Sequence, residues 1–101
     1  MPTFDRSTGS SNYDLVILGG TASGLSVAIS SLRSGLKLVR VIESRSAVDF
    51  PELATDNNLD VGYGEQLQSI DLEGDNLVVT TDRLAYRTRS VLVANRRSDA
   101  A

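Results

Sequence analysis

Leu15-Val16-Ile17-Leu18-Gly19-Gly20-Thr21-Ala22-Ser23-Gly24-Leu25 is the stretch of sequence that decides the fold. Four consecutive apolar residues run directly into a pair of glycines, which is typical of a buried parallel strand that enters a tight turn. Beyond the turn, apolar residues recur at helical spacing, and they are Leu25, Ala28, Ile29 and Leu32. The stretch therefore predicts a strand, a glycine turn and an amphipathic helix in direct succession.

The residues after the helix complete a βαβ unit. Gly35 stands where a helix stop is expected, and residues 37–43 resume an apolar strand that ends on Glu43. An acid about 20 residues beyond the last glycine of such a turn has the spacing of a dinucleotide-binding unit. The sequence thus predicts a single small α/β domain with a Rossmann-like βαβ unit and a parallel sheet.

The glycine turn matches the G-x-G-x-x-G pattern incompletely. The six slots are Gly19, Gly20, Thr21, Ala22, Ser23 and Gly24. Gly19 permits the sharp turn and Gly24 allows the helix to pack closely on the sheet, but Thr21 replaces the glycine that lets the backbone approach a pyrophosphate. Two interpretations stay open, a dinucleotide-binding turn and a purely structural one. For the Thr21 hydroxyl, capping of the helix is favoured over donation to a phosphate.

Composition bounds the class of protein. The 101 residues are enough for one domain with a modest core, and 41% are hydrophobic and 23% charged, as in ordinary globular proteins. No apolar run approaches the roughly 18 residues of a membrane helix, and no amino-terminal signal pattern appears. We therefore expect a cytoplasmic protein without membrane insertion.

The absent residue types restrict the chemistry. The chain has no cysteine and no histidine, which excludes thiolate metal sites, redox-active thiol pairs and the commonest general base. Any chemistry must therefore come from carboxylates, Tyr, Lys, Arg, hydroxyls or a bound cofactor, and we assign no catalytic residue and no metal ligand. The net charge of −3 argues against nucleic acid as the main partner.

The rest of the chain predicts a second, antiparallel unit. Residues 44–58 form a polar connection with a short helix or turn around Pro51. From Leu59 onward, short strands alternate with turn signals, which indicates a three-stranded antiparallel meander that delivers a last parallel strand at 90–94. The domain is expected at 13–95. Residues 1–12 are expected to form a flexible leader, and residues 96–101 a polar tail.

Charge is unevenly distributed along the chain. Residues 46–82 contain nine of the thirteen acids and none of the ten bases. The first interpretation is a solvated surface of loops and meander. The second is a pair of faces with opposite sign that orient the domain against a protein partner or within a larger assembly.

Two separated segments resemble one family. Residues 12–20, Ala22-Ser23-Gly24-Leu25 and Val41-Ile42-Glu43 resemble the FAD-binding segment of the pyridine nucleotide–disulfide oxidoreductases, the glutathione reductase superfamily. Residues 77–94 are similar to the meander of that family and to the strand that ends in its Ala-Thr-Gly signature. The resemblance extends over residues 13–95, so the chain looks like a truncated form of the family's FAD-binding segment.

The resemblance implies a cofactor site. In the family, the glycines and the amides that open the helix bind the pyrophosphate, and the acid at the position of Glu43 binds the adenosine ribose hydroxyls. The candidate cofactor-binding residues are therefore Gly19, Gly20, Thr21, Ser23, Gly24 and Glu43. A carboxylate at that position repels a ribose 2′-phosphate, so FAD or NAD is favoured over NADP, and the position near the chain start favours FAD.

The chain also departs from the family pattern. Asn95-Arg96 stand where the family has Thr-Gly, and the redox-active dithiol is absent. The leading hypothesis is a dinucleotide-binding domain related to flavin-dependent oxidoreductases, with hydride chemistry left to the cofactor and to groups outside this chain. The alternative hypothesis is a cofactor-free remnant of the fold that serves as a structural or interaction subunit of a larger assembly.

Overall fold

A computed structural model of the chain describes residues 11–94. The described part contains eight strands and two helices. In chain order they are β1 (Ser11–Tyr13), β2 (Leu15–Leu18), α1 (Ala22–Arg33), β3 (Val39–Glu43), α2 (Pro51–Asp56), β4 (Asp60–Tyr63), β5 (Leu67–Glu73), β6 (Asn76–Thr81), β7 (Ala85–Thr88) and β8 (Val91–Val93). Neither helix is long and apolar enough to span a membrane.

The first sheet is parallel and contains the predicted βαβ unit. Its strand order is β4-β3-β2-β8, and every neighbouring pair runs parallel. Helix α1 connects β2 to β3, as the glycine turn and the helical spacing predict. All four residues of β2 are buried, because both faces of this strand are covered.

The second sheet contains the predicted meander. Its strand order is β1-β7-β6-β5, with antiparallel pairing of β5 to β6 and of β6 to β7. The predicted α/β fold, with a parallel sheet and an antiparallel meander, is therefore confirmed. The short helix expected around Pro51 is α2, which has this proline at its first position.

The strand β1 lies partly within the expected leader. Ser11 and Asn12 pair in parallel with β7, so this strand includes two residues that the sequence assigned to the leader. The remainder of the leader and the expected tail at 96–101 lie outside the described residues. In the chain, β2 follows β1 directly and β8 follows β7 directly. The strand β1 pairs with β7 in the second sheet, and β2 pairs with β8 in the first, so the two segments run side by side from one sheet into the other.

Two layers of the core lie on the two faces of the parallel sheet, and a smaller buried cluster is formed by Leu25, Val48 and Ala54. The layer toward α1 consists of Leu15, Ile17, Ala28, Val39, Val41 and Ala94. The layer toward the meander consists of Val16, Leu18, Ile42, Val79 and Tyr86. Successive residues of β2 thus alternate between the two layers, which explains why the strand has no polar residue.

Candidate functional site

The glycine turn connects the end of β2 to the start of α1. Gly19 has a φ of +119°, in the region that favours glycine, and its N–H donates to the carbonyl of Ile42 over 2.9 Å. A Cβ atom on Gly24 would lie 2.3 Å from the Gly19 carbonyl oxygen and 3.1 Å from Ile17 Cγ2. Glycine at position 24 thus permits the close packing of helix on strand that the sequence predicts.

We expect Gly24→Ala to lower the free energy of unfolding by about 2 kcal/mol, since the added methyl group meets backbone rather than a movable side chain. Urea unfolding followed by circular dichroism would measure the loss. Ser26→Ala, on the exposed face of the same helix, is the matched control and should unfold at nearly the wild-type urea concentration. An unchanged midpoint for Gly24→Ala would contradict the packing described here.

Thr21 caps the helix. Its hydroxyl oxygen accepts a hydrogen bond from the Gly24 N–H over 3.3 Å and donates one to the Ala94 carbonyl over 2.6 Å. The backbone of Thr21 is extended, with φ −86° and ψ 173°, and needs no glycine. The predicted capping role is confirmed, and the same hydroxyl also ties the turn to the residue that follows β8.

The first turn of α1 presents open backbone donors. Within residues 11–94, no acceptor lies on the N–H groups of Ala22 or Ser23. Both residues are exposed, and Ser23 lies on the first helical turn. Unpaired amides and the positive end of the helix dipole together favour an anion at this position.

Glu43 ends β3 and is only 4% exposed. Its Oε1 accepts from the Gly20 N–H over 2.7 Å and from Arg45 Nη2 over 3.1 Å. Its Oε2 accepts from the Arg45 backbone N–H over 2.8 Å and from Arg45 Nε over 3.0 Å. Burial alone would raise the pKa of this carboxyl, but the hydrogen bonds from Arg45 and Gly20 outweigh it and lower the pKa to about 2.

A short segment folds over the turn and holds Arg45 in place. Arg45 Nη2 also donates to Asp49 Oδ1 over 3.1 Å, and the Asp49 N–H donates to the Gly20 carbonyl over 2.9 Å. Buried Val48 fills the space beside Gly20, where a Cβ atom would lie 2.4 Å from Val48 Cγ1. Arg45 was not among the predicted site residues, and the available signal was a basic residue two positions after the acid that ends the strand.

A pocket of about 460 Å³ opens at the carboxyl ends of β2 and β3. Its lining residues are Leu18, Gly19, Thr21, Ile42, Glu43, Ser44, Arg45, Glu65, Gln66 and Leu67. Of the six predicted site residues, Gly19, Thr21 and Glu43 line this pocket, whereas Gly20 and Gly24 are buried next to it and Ser23 is exposed on the helix. Ligands of open α/β sheets bind at this edge.

A buried polar network lies between the pocket and the meander. Glu65 is 1% exposed and accepts hydrogen bonds from the hydroxyls of Thr81 and Tyr86, both over 2.5 Å, and from Arg40 Nη2 over 3.2 Å. Burial, followed by the hydrogen bond to Glu65, raises the pKa of Tyr86 to about 12. Gly62 leaves room for the ion pair, because a Cβ atom there would lie 2.1 Å from Glu65 Oε1.

Ion pairs partly offset the uneven charge of the sequence. Each of four acids between residues 46 and 82 pairs with an arginine from outside that range. These pairs are Asp60 and Glu65 with Arg40, Asp49 with Arg45, and Glu73 with Arg87. These ion pairs reduce the charge contrast between the two parts of the chain.

Comparison with known proteins gives matches in structure but not in sequence. No family model matches the chain, and no curated protein matches it. Bacillithiol disulfide reductase Bdr from Staphylococcus aureus superimposes with a TM-score of 0.75 at 18% identity, over 85% of this chain. Thioredoxin reductase from T. acidophilum gives 0.71 at 19% identity, also over 85% of this chain. The fold of this chain is similar to that of one part of each of these two proteins.

The fold is shared with flavoproteins of other activities. A flavin monooxygenase from Stenotrophomonas maltophilia superimposes with a TM-score of 0.76 at 18% identity, over 84% of this chain. The chain spans only 39%, 36% and 38% of the lengths of these three proteins, respectively. The resemblance to a truncated FAD-binding segment is thus confirmed as a likeness of fold.

Proposed function

We propose that this chain binds an adenine dinucleotide, FAD rather than NAD, as the nucleotide-binding part of a flavin-dependent oxidoreductase. The observation that carries the proposal is the pocket in which the glycine turn and the strand-ending acid Glu43 meet. Its volume of about 460 Å³ lies within the range of ligand pockets. The likeness to flavoproteins supports a flavin cofactor over other nucleotides.

Each part of the adenylate end has a matching feature in the chain. The diphosphate would lie on the open amides of Ala22 and Ser23, and the ribose hydroxyls would face Glu43. The adenine would extend toward Gln66 and Leu67, which also line the pocket. FAD, when bound, would supply hydride transfer, and the described residues would hold and orient its adenylate end without reacting.

Titration of the purified chain with FAD, NAD, NADP and FMN tests the proposal. We expect FAD to bind more tightly than NAD, and NADP to bind weakly because its 2′-phosphate would meet the Glu43 carboxylate. FMN lacks the adenylate and is expected not to bind. Isothermal titration calorimetry and flavin fluorescence would measure these affinities, and no binding of FAD at millimolar concentration would refute the proposal.

We expect Thr21→Gly to tighten FAD binding, since it removes the side chain from the slot that faces the diphosphate. The variant should also lose about 1 kcal/mol of stability, because the cap on Gly24 and the hydrogen bond to Ala94 disappear. Thr21→Ser is the matched control, since it retains both hydrogen bonds and should match the wild type in urea unfolding. Equal FAD affinity of the glycine variant and the wild type would show that Thr21 is no obstacle.

One observation favours the alternative of a cofactor-free structural or interaction subunit. The carboxylate of Glu43 already accepts four hydrogen bonds from the chain itself. Isolation of the protein with a stable partner and no nucleotide would support this alternative. A monomer that retains FAD through size-exclusion chromatography would argue against it.

A further inference from the structure

We infer that the Arg45 side chain competes with the ligand for Glu43, and that a ribose binds this pocket only by replacing the guanidinium on the carboxylate. The inference rests on the proposed function. It adds a closed state of the site, in which an internal cation holds the position of the ribose diol. It also makes Arg45 a specificity-determining residue for ligands that carry two neighbouring hydroxyl groups.

The Glu43 carboxylate is saturated with hydrogen-bond donors from the chain itself. A carboxylate offers about four lone-pair positions, two on each oxygen. On Glu43, Oε1 is paired with the Gly20 N–H and Arg45 Nη2, and Oε2 with the Arg45 N–H and Nε. A ribose diol needs two acceptor positions, so two of the present donors must leave before it can bind.

Of the four hydrogen-bond donors on Glu43, those of the Arg45 guanidinium can leave. The Gly20 N–H belongs to a turn with no free space beside it, and the Arg45 N–H is fixed by the backbone that follows β3. The Arg45 guanidinium, in contrast, lies on a side chain that is 42% exposed. Its two hydrogen bonds to Glu43 are thus the pair that a rotation of the side chain can release.

The released Arg45 guanidinium keeps an anionic partner. Arg45 Nη2 already contacts Asp49 Oδ1 over 3.1 Å, and the Asp49 side chain is 20% exposed. After release, the guanidinium retains this anion, and Glu43 retains two backbone donors and gains two hydroxyl donors. The exchange therefore leaves neither charge buried without a partner. A ligand without both hydroxyls cannot complete the exchange.

Binding of neutral nucleosides to Arg45→Ala tests the competition. Adenosine carries the diol and no charge, so loss of the Arg45 cation does not weaken its attraction to the site. We expect Arg45→Ala to bind adenosine about tenfold more tightly than the wild type, equivalent to one hydrogen bond to a charged group. For 2′,3′-dideoxyadenosine we expect no gain. Arg33→Ala, which removes an exposed arginine at the end of α1, is the control and should bind both nucleosides as the wild type does.

A spectroscopic measurement on the unmodified protein tests the same exchange without a substitution. The Arg45 Nε–H signal of the free chain should show slow exchange with water, because this group donates to a buried carboxylate. Saturation with ADP-ribose should accelerate its exchange and shift the signal. A signal that remains unchanged at saturation would overturn the inference, even if Arg45→Ala failed to fold.

The outcomes separate the two proposals. If the wild type binds FAD and Arg45→Ala shows no gain for adenosine, the competition is refuted and the proposed function stands. If neither protein binds adenosine, ADP-ribose or FAD, both proposals fail. A gain that is confined to adenosine and absent for the dideoxynucleoside supports the competition.

Discussion

Glu43→Gln is expected to lower the free energy of unfolding by about 3 kcal/mol at neutral pH, and this difference should disappear toward pH 2. The pKa of Glu43 is lowered from 4.5 to about 2, so the unfolded chain binds this proton more tightly than the native protein. The stabilisation is therefore present above pH 4.5 and is lost as the pH falls through 2. In addition, a glutamine amide would place its own N–H groups against donors that now face a carboxylate oxygen.

Urea unfolding of the wild type and of Glu43→Gln at a series of pH values would measure this effect. Other acids also titrate in this range, so the informative quantity is the difference between the two proteins at each pH. Glu52→Gln, at an exposed position of α2, is the matched control and should show a small difference from the wild type. A difference that stayed constant from neutral pH to pH 2 would show that Glu43 stabilises the fold by packing rather than by its charge.

Arg40→Met is expected to destabilise the protein by about 3 kcal/mol, because it leaves the Glu65 carboxylate buried without its cation. The Arg40 side chain is only 16% exposed, and its Nη2 lies 3.2 Å from Glu65 Oε1. Methionine resembles the arginine stem in shape, but the substitution also removes the guanidinium from its position 5.2 Å from the centroid of the Tyr86 ring and from its ion pair with Asp60. The loss therefore includes these contacts in addition to the pair with Glu65.

A double-mutant cycle with Glu65→Gln isolates the ion pair. Once the carboxylate is replaced by a neutral amide, Arg40→Met should cost markedly less than in the wild type. Circular dichroism during urea unfolding of the four proteins would give the coupling energy. Strictly additive losses would mean that the coupling energy between Arg40 and Glu65 is zero and that the two residues stabilise the fold independently.

Local sequence signals were sufficient for the centre of the fold. The strand β2, the glycine turn and α1 are contiguous in the chain, and their apolar spacing and glycines depend on neighbours within a few residues. Glu43 was also predictable, because the end of β3 follows from the length of one βαβ unit. Spacing alone thus placed the end of β3 at Glu43.

The partners of the site residues could not be predicted from the sequence. Glu65 and Arg40 are 25 positions apart, and nothing in their local sequence indicates that these charges are buried together. The strand β5 shows weak alternation because all seven of its residues are exposed, so burial imposes no pattern on it. The strand β1 lies in a polar segment and depends on β7, which is more than 70 residues away. These features arise from tertiary contacts.

The paired backbones of β1–β2 and β7–β8 have a consequence for dynamics. Tyr13 lies opposite Thr88 in one sheet and Val16 lies opposite Val91 in the other, with Val16 N donating to the Ser90 carbonyl over 3.0 Å between them. Two paired segments that belong to both sheets resist separate opening of either sheet, since separation of the strands in one sheet strains the pairing in the other. Amide protons of the two sheets should therefore exchange with deuterium through one common opening event rather than two.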